Sequence, residues 1–164
     1  MARRVSAVEA LELASCPAER VLPSIWEIQN IEQCEVKADR VVVHPTDDRN
    51  GSYDVTGRFA GFPWRGRFQY ELDERGFHSR TADVPRDEAR VEGGFFVTPL
   101  GAGGSTVIHY EQYVLAPWLA PFAPLLRWYL HRSMRRELRT LRRLVVEALP
   151  RTGSDLEGRA AISA

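Results

Sequence analysis

At 164 residues, 44% hydrophobic, 27% charged and formally neutral, the chain has the make-up of one ordinary globular domain large enough to bury a core. The balance of charge and the lack of any recognition motif argue against nucleic acid as a partner, and no run approaches the ~18 apolar residues of a membrane helix. Cys16 and Cys34 have neither metal-ligand nor redox spacing and read as free thiols. Glu9 and Glu12 interrupt the start before an apolar run can form, so no signal peptide is expected. Together these features place the chain in the cytoplasm, with a peripheral position at a membrane as the alternative.

Residues 4–15 read as a first strand, with Val5, Ala7, Leu11 and Leu13 on the apolar face. Glu9 falls on that same face, where it would lie near open water or line a cavity. Ser15 is the expected N-cap of a short helix after Pro17, which Pro23 should stop. Residues 25–44 read as extended chain, ending in Val41-Val42-Val43 before Pro45. After the turn at 46–51, Tyr53, Val55, Gly57 and Phe59 alternate with polar neighbours. Trp64, Phe68, Tyr70 and Leu72 do the same beyond a connection at Gly61-Phe62-Pro63. A turn at 73–76 leads into residues 77–81, a loop covers 85–87, and strands at 89–99 and 106–115 flank Gly101-Ala102-Gly103-Gly104.

The last element is a long amphipathic helix, its regular part starting between Ala120 and Pro124 and ending at Pro150. Phe122, Leu126, Tyr129, Leu130, Met134, Leu138, Leu141, Val145 and Ala148 form its apolar stripe. Charge is divided along the chain. Residues 1–117 carry 13 basic and 18 acidic side chains, whereas 118–149 carry seven arginines and two glutamates. A helix of this kind cannot hide its stripe alone, so the strands must cover it. The reading is an α+β domain over residues 1–150, a curved antiparallel sheet wrapped around a long C-terminal helix, with a disordered tail at 151–164.

This order of elements resembles the START-like, polyketide cyclase (SRPBCC) superfamily and its helix-grip fold. The stretches carrying the resemblance are Leu11 to Val21, Tyr53 to Phe59, Trp64 to Tyr70 and Leu138 to Glu147. It implies a cavity between sheet and helix that takes a lipid, quinone, polyketide or similar apolar molecule, and no universal catalytic residue. Such proteins usually carry two helices after the first strand. Only residues 17–26 are read as helical here, so one rim of the cavity should be short or open.

Residues expected to line the cavity are Tyr53, Val55, Phe59, Trp64, Phe68, Tyr70, Phe95, Phe122, Leu126, Tyr129 and Met134, with Gly57, Gly66 and Gly93 leaving room among them. Burying ~300 Å2 of apolar ligand would contribute roughly 7 kcal/mol before ordering costs. Related cyclases and aromatases hold and protonate substrate with arginine, tyrosine and histidine. By that resemblance Arg58, His78 and above all His109, Glu111 and Tyr113 are candidates for acid–base work. The last three share one face of one strand, which is equally the pattern of a wet outer face. Arg65 and Arg67 alternate opposite to Trp64 and Phe68 and should point outward. His44, His78, His109 and His131 are dispersed, so no metal site is expected, and no motif calls for a cofactor. Arg132, Arg135, Arg136, Arg139 and Arg143 make a basic helix face. Beside Trp118, Phe122 and Trp128 it would suit an anionic membrane surface; the plain alternative is a solvated face.

Overall fold

The computed structural model describes residues 3–82 and 90–147. The loop at 85–87, the start of the strand at 89, the helix end at 148–150 and the tail at 151–164 lie outside the described residues. Seven strands form one antiparallel sheet: β1 (Arg3–Leu13), β2 (Ala38–Pro45), β3 (Asn50–Phe59), β4 (Phe62–Asp73), β5 (Gly76–Thr81), β6 (Arg90–Leu100) and β7 (Gly104–Leu115). Their order is β1-β7-β6-β5-β4-β3-β2, so successive hairpins run from β2 to β7 and the first strand closes against the last. Three α-helices, α1 (Ala18–Trp26), α2 (Ile31–Cys34) and α3 (Ala123–Glu147), and 3-10 turns at Ile28–Asn30, Gly101–Gly103 and Pro117–Phe122 complete the described chain. This is the helix-grip arrangement expected from the order of elements.

Period-2 alternation sets which way each strand faces. In β7 every second residue from Ser105 to Leu115 is buried, and in β3 Tyr53, Val55 and Gly57 are. Along α3 the buried residues Leu130, Met134, Leu138, Leu141 and Val145 follow the 3.6-residue period. Each contributes about 1.5–3 kcal/mol of burial. Two packed regions result. One joins α1, α2 and the later half of α3 to β2–β7. The other sets Leu130 and Met134 against Val5 and Ala7 of β1 and Tyr113 and Leu115 of β7.

Several local expectations need correction. The cap of α1 is Pro17, in extended conformation and without a side-chain hydrogen bond, so Ser15 does not cap it. Pro23 lies inside α1, which continues to Trp26. A proline in a short helix forfeits one backbone bond without ending it where tertiary packing holds the turn. Val21, Leu22 and Ile25 around it are all buried. Residues 28–34 are helical, a 3-10 turn at Ile28–Asn30 running into α2, where the sequence reads as extended chain. A second, short helix thus follows α1, where a single helical segment is expected. The β3–β4 connection is a tight turn at Ala60 and Gly61, both with positive φ, and Phe62 and Pro63 already belong to β4. Glu9 neither sits free in water nor lines the cavity. Its carboxylate accepts from Arg135 Nε (3.0 Å) and pairs with His131 Nδ1 (2.8 Å), tying β1 to α3.

Candidate functional site

Between the sheet and the first half of α3 lies a cavity of about 690 Å3, within the ~300–1,000 Å3 range of small-molecule sites. Of the eleven residues expected to line it, nine do: Tyr53, Val55, Phe59, Trp64, Phe68, Phe95, Phe122, Leu126 and Tyr129. Tyr70 and Met134 are placed elsewhere. Tyr70 packs against the ring of Tyr53, 6.2 Å away, and Met134 is fully buried against β1 and β7. Arg65 and Arg67 are exposed, as their alternation requires, and Arg67 Nε donates to Asp54 at 2.7 Å. Arg58 is exposed on β3, while His78 is half-buried and shares a hydrogen bond with Tyr110.

The three glycines expected to leave room behave differently. Gly93 lines the cavity. At Gly57, a Cβ would lie 1.9 Å from the Lys37 carbonyl oxygen, so the missing side chain admits backbone and not ligand. Gly66 sits under the rings of Trp64 and Phe68. The close approach at Gly57 has a structural use. The Lys37 carbonyl accepts from Arg58 N (3.1 Å) and Trp64 Nε1 (2.9 Å). Pinned there, the chain entering β2 directs the Lys37 side chain inward, where it is 3% exposed.

Lys37 is the chain's single lysine among 22 basic residues, and it centres a buried polar cluster at one end of the cavity. Its ammonium pairs with Glu111 and lies 3.4 Å from Glu137 Oε1. His109 Nε2 is 3.3 Å from Glu111 Oε1 and 3.7 Å from Glu137 Oε2. Tyr113 donates to Glu111 Oε2 at 3.1 Å, and Ser133 to Glu137 Oε1 at 2.7 Å. Glu35, at the end of α2, completes the wall beside them. His109, Glu111 and Tyr113 thus face inward; the alternative of a wet outer face does not hold. Glu35, Lys37, Ser133 and Glu137 were not singled out from the sequence. Two signals were present: a solitary lysine, and a glutamate at a stripe position of α3, three residues after Met134 and four before Leu141.

Burial sets the protonation chemistry. It opposes the Lys37 charge, but the carboxylates of Glu111 and Glu137 outweigh it and hold the ammonium well above its usual pKa. Burial pushes Glu35 up to about 8, Lys37 opposing and Glu137 and Glu111 adding to the rise. Glu137 is raised too, chiefly by burial. His109 is driven well below its usual range by burial, with the Lys37 charge reinforcing it. Burial and then the Glu111 charge raise Tyr113 far above an ordinary phenol. At neutral pH the cluster therefore holds a neutral imidazole, a protonated phenol and a fixed ammonium among carboxyl groups.

Could the cluster hold a metal? Among the described residues, His109, Glu111 and Glu137 offer three ligand atoms within 4.8 Å of one another, a grouping that the dispersed histidines did not suggest. Lys37 already presents its charge to both carboxylates, so a cation would have to compete with it. The geometry fits an internal ion pair better than a metal centre.

At the other end the cavity opens through an apolar rim. Phe62, Phe122, Leu125 and Trp128 line it and are 57–75% exposed, with Trp118 close by in sequence at 72%. The Arg132 guanidinium stands 5.9 Å from the Trp128 ring. Arg136 and Arg143 are exposed, while Arg135 pairs with Glu9 and Arg139 donates to the Arg135 carbonyl. No described helix is long and apolar enough to cross a membrane.

No protein-family model matches the chain, and no curated protein matches it in sequence. Solved structures do match its fold. The Zhui aromatase/cyclase from Streptomyces sp. R1128 superposes with a TM-score of 0.76 at 13% identity, over 92% of this chain and 99% of that one. A START superfamily protein from Mycobacterium smegmatis gives 0.66 at 13% identity, covering 88% and 99%. Norcoclaurine synthase from Thalictrum flavum gives 0.65 at 14% identity, covering 89% and 88%. The chain shares the helix-grip fold of these structures.

Proposed function

We infer that this domain binds a hydrophobic small molecule, such as a lipid, quinone or polyketide, between its sheet and α3. One observation carries the reading: a cavity of about 690 Å3, apolar along most of its wall, with its ionisable groups gathered at one end. A core that only stabilised the fold would be filled, because an unfilled apolar volume costs stability in proportion to its size. Native mass spectrometry of the protein isolated from its own host should reveal an apolar molecule bound one per chain. No co-purified molecule, together with no uptake of fatty-alcohol, quinone or polyketide probes, would overturn the reading.

Inward-facing His109, Glu111 and Tyr113 favour a second reading, a cyclase- or aromatase-like catalyst. Of the three similar structures named above, two carry enzyme names, an aromatase/cyclase and norcoclaurine synthase. In this reading Tyr113, hydrogen-bonded to Glu111, would donate a proton and neutral His109 would accept one. Tyr113→Phe should then slow ring closure of a poly-β-ketone substrate about 100-fold. An unchanged rate of aromatic product formation would end the catalytic reading and leave binding intact.

The exposed aromatic rim supports docking on an anionic bilayer, with the cavity mouth facing the lipid. Trp118, Phe122, Leu125 and Trp128 would enter the interface, and Arg132, beside Trp128, would meet phosphate. Of the basic helix face, Arg135 is committed to Glu9 and contributes least. Salt-sensitive pelleting with phosphatidylserine vesicles tests the docking, and none at low salt would remove it.

A further inference from the structure

Which end of a ligand would seat against the ionisable cluster follows from counting donors and acceptors there. The donors are nearly spent. Tyr113 donates to Glu111 and Ser133 to Glu137, while the Lys37 ammonium serves both carboxylates. His109 Nε2 faces Glu111 and Glu137, so the proton of its neutral ring belongs on that nitrogen and Nδ1 is left with a bare lone pair. Nδ1 is buried and meets no hydrogen-bond partner; Glu137 Oε2 is buried and unmatched too. Both residues are almost wholly buried, His109 at 1% exposure and Glu137 at 0%. Glu35, in the cavity wall, has its charge interaction with Lys37 but no side-chain hydrogen bond among the described residues. Glu35 keeps its own proton at neutral pH, so the buried atoms left without a partner among the described residues, His109 Nδ1 and Glu137 Oε2, are both acceptors. Lys37 retains one N–H, yet its single charge already serves Glu111 and Glu137. A further anion would have to compete with Glu111 and Glu137 for that charge in a medium that screens poorly.

We propose that the cavity seats an apolar molecule by a hydrogen-bond-donating end, a hydroxyl or an ammonium, against Glu35 and His109, and turns away carboxylate-headed amphiphiles. This rests on the hydrophobic-ligand reading and adds the chemistry of the ligand's buried end. A seated donor would satisfy acceptors that otherwise stay unpaired, which is where hydrogen-bonding discrimination is largest.

The test uses four probes with one body: pyrene, 1-pyrenemethanol, 1-pyrenemethylamine and 1-pyrenecarboxylic acid, titrated into the full chain at neutral pH and followed by pyrene fluorescence. The alcohol and the amine should bind at least about tenfold tighter than the acid. In Glu35→Gln, with folding checked by its thermal melt, the amine's advantage over the acid should shrink at least about threefold, because the carboxyl that gives up its proton to balance an arriving ammonium is gone. Parity among the probes, or preference for the acid, would overturn the proposal while leaving apolar binding in place. An undiminished advantage in folded Glu35→Gln would overturn it by removing Glu35 from the seat. Failure of all four probes, pyrene included, would instead bring down the ligand-binding reading on which the proposal stands.

Discussion

The two halves of α3 keep one amphipathic period and meet different fates. In the later half Leu138, Leu141 and Val145 are 1–3% exposed, pressed against the sheet and the two short helices. In the first turns Leu125 and Trp128, with Phe122 in the 3-10 turn just before them, remain more than half exposed and border the cavity mouth. Between them Ser133 and Glu137 bring polar groups to the stripe where the cavity ends. One helix thus supplies a core at its far end and an entrance at its near end. A stripe of apolar residues specifies burial against something, and only the partner surface decides whether that something is protein. Where β1, β7, α1 and α2 reach the helix it is; where the curved sheet bends away, space is left.

The largest effect should come at the junction. Lys37→Met leaves Glu111 and Glu137 buried without their cation and should cost about 3–5 kcal/mol in urea unfolding. Adding Glu137→Leu should recover part of that loss; a single variant as stable as the parent would show that the pair does not hold the cluster together. The halves themselves separate next. Leu138→Ala should cost about 2–5 kcal/mol by opening a void in the core, while Leu125→Ala at the rim should stay within about 0.5 kcal/mol. Equal costs would erase the distinction between core and entrance. Trp128→Ala combined with Phe122→Ala should weaken pelleting with phosphatidylserine vesicles while leaving the unfolding midpoint nearly unmoved; unchanged pelleting would take the rim out of any membrane contact.

The smallest effect is a pH trend. Glu35 holds its proton up to about pH 8 in the folded protein against the ordinary 4.5. Its contribution to stability is therefore whole below 4.5 and lost as pH rises through about 8. Thermal melts across that window should show the parent losing stability relative to Glu35→Gln as pH rises. Parallel curves would mean that the Glu35 carboxyl is not held in its protonated form.

Where the sequence had a long period it could be read. Alternation in β3, β4 and β7 and the stripe of α3 were sufficient for the helix-grip arrangement and for nine wall residues. Short or mixed segments could not be read so. A 3-10 turn followed by the four residues of α2 shows less than two turns of period. On β7 one face carries His109, Glu111 and Tyr113 and the other Ile108, Tyr110 and Val114. Neither face is plainly apolar, and the deciding clue was that the polar trio continues the face of Val107 and Leu115. The cluster itself draws on α2, β2, β7 and α3, residues up to 102 positions apart (Glu35 to Glu137), and no local pattern joins them. Their meeting depends on how closely β2 approaches Gly57, a tertiary fact.

The central claim is that the hollow under the first half of α3 takes an apolar guest, and pyrene fluorescence measured against a filled variant tests it most directly. Val91→Trp places an indole among the wall residues. Pyrene should bind the parent one per chain with an affinity near micromolar, about −8 kcal/mol, and binding should drop at least about tenfold in a folded Val91→Trp. No saturable binding by the parent, or equal binding by both proteins, would contradict the account.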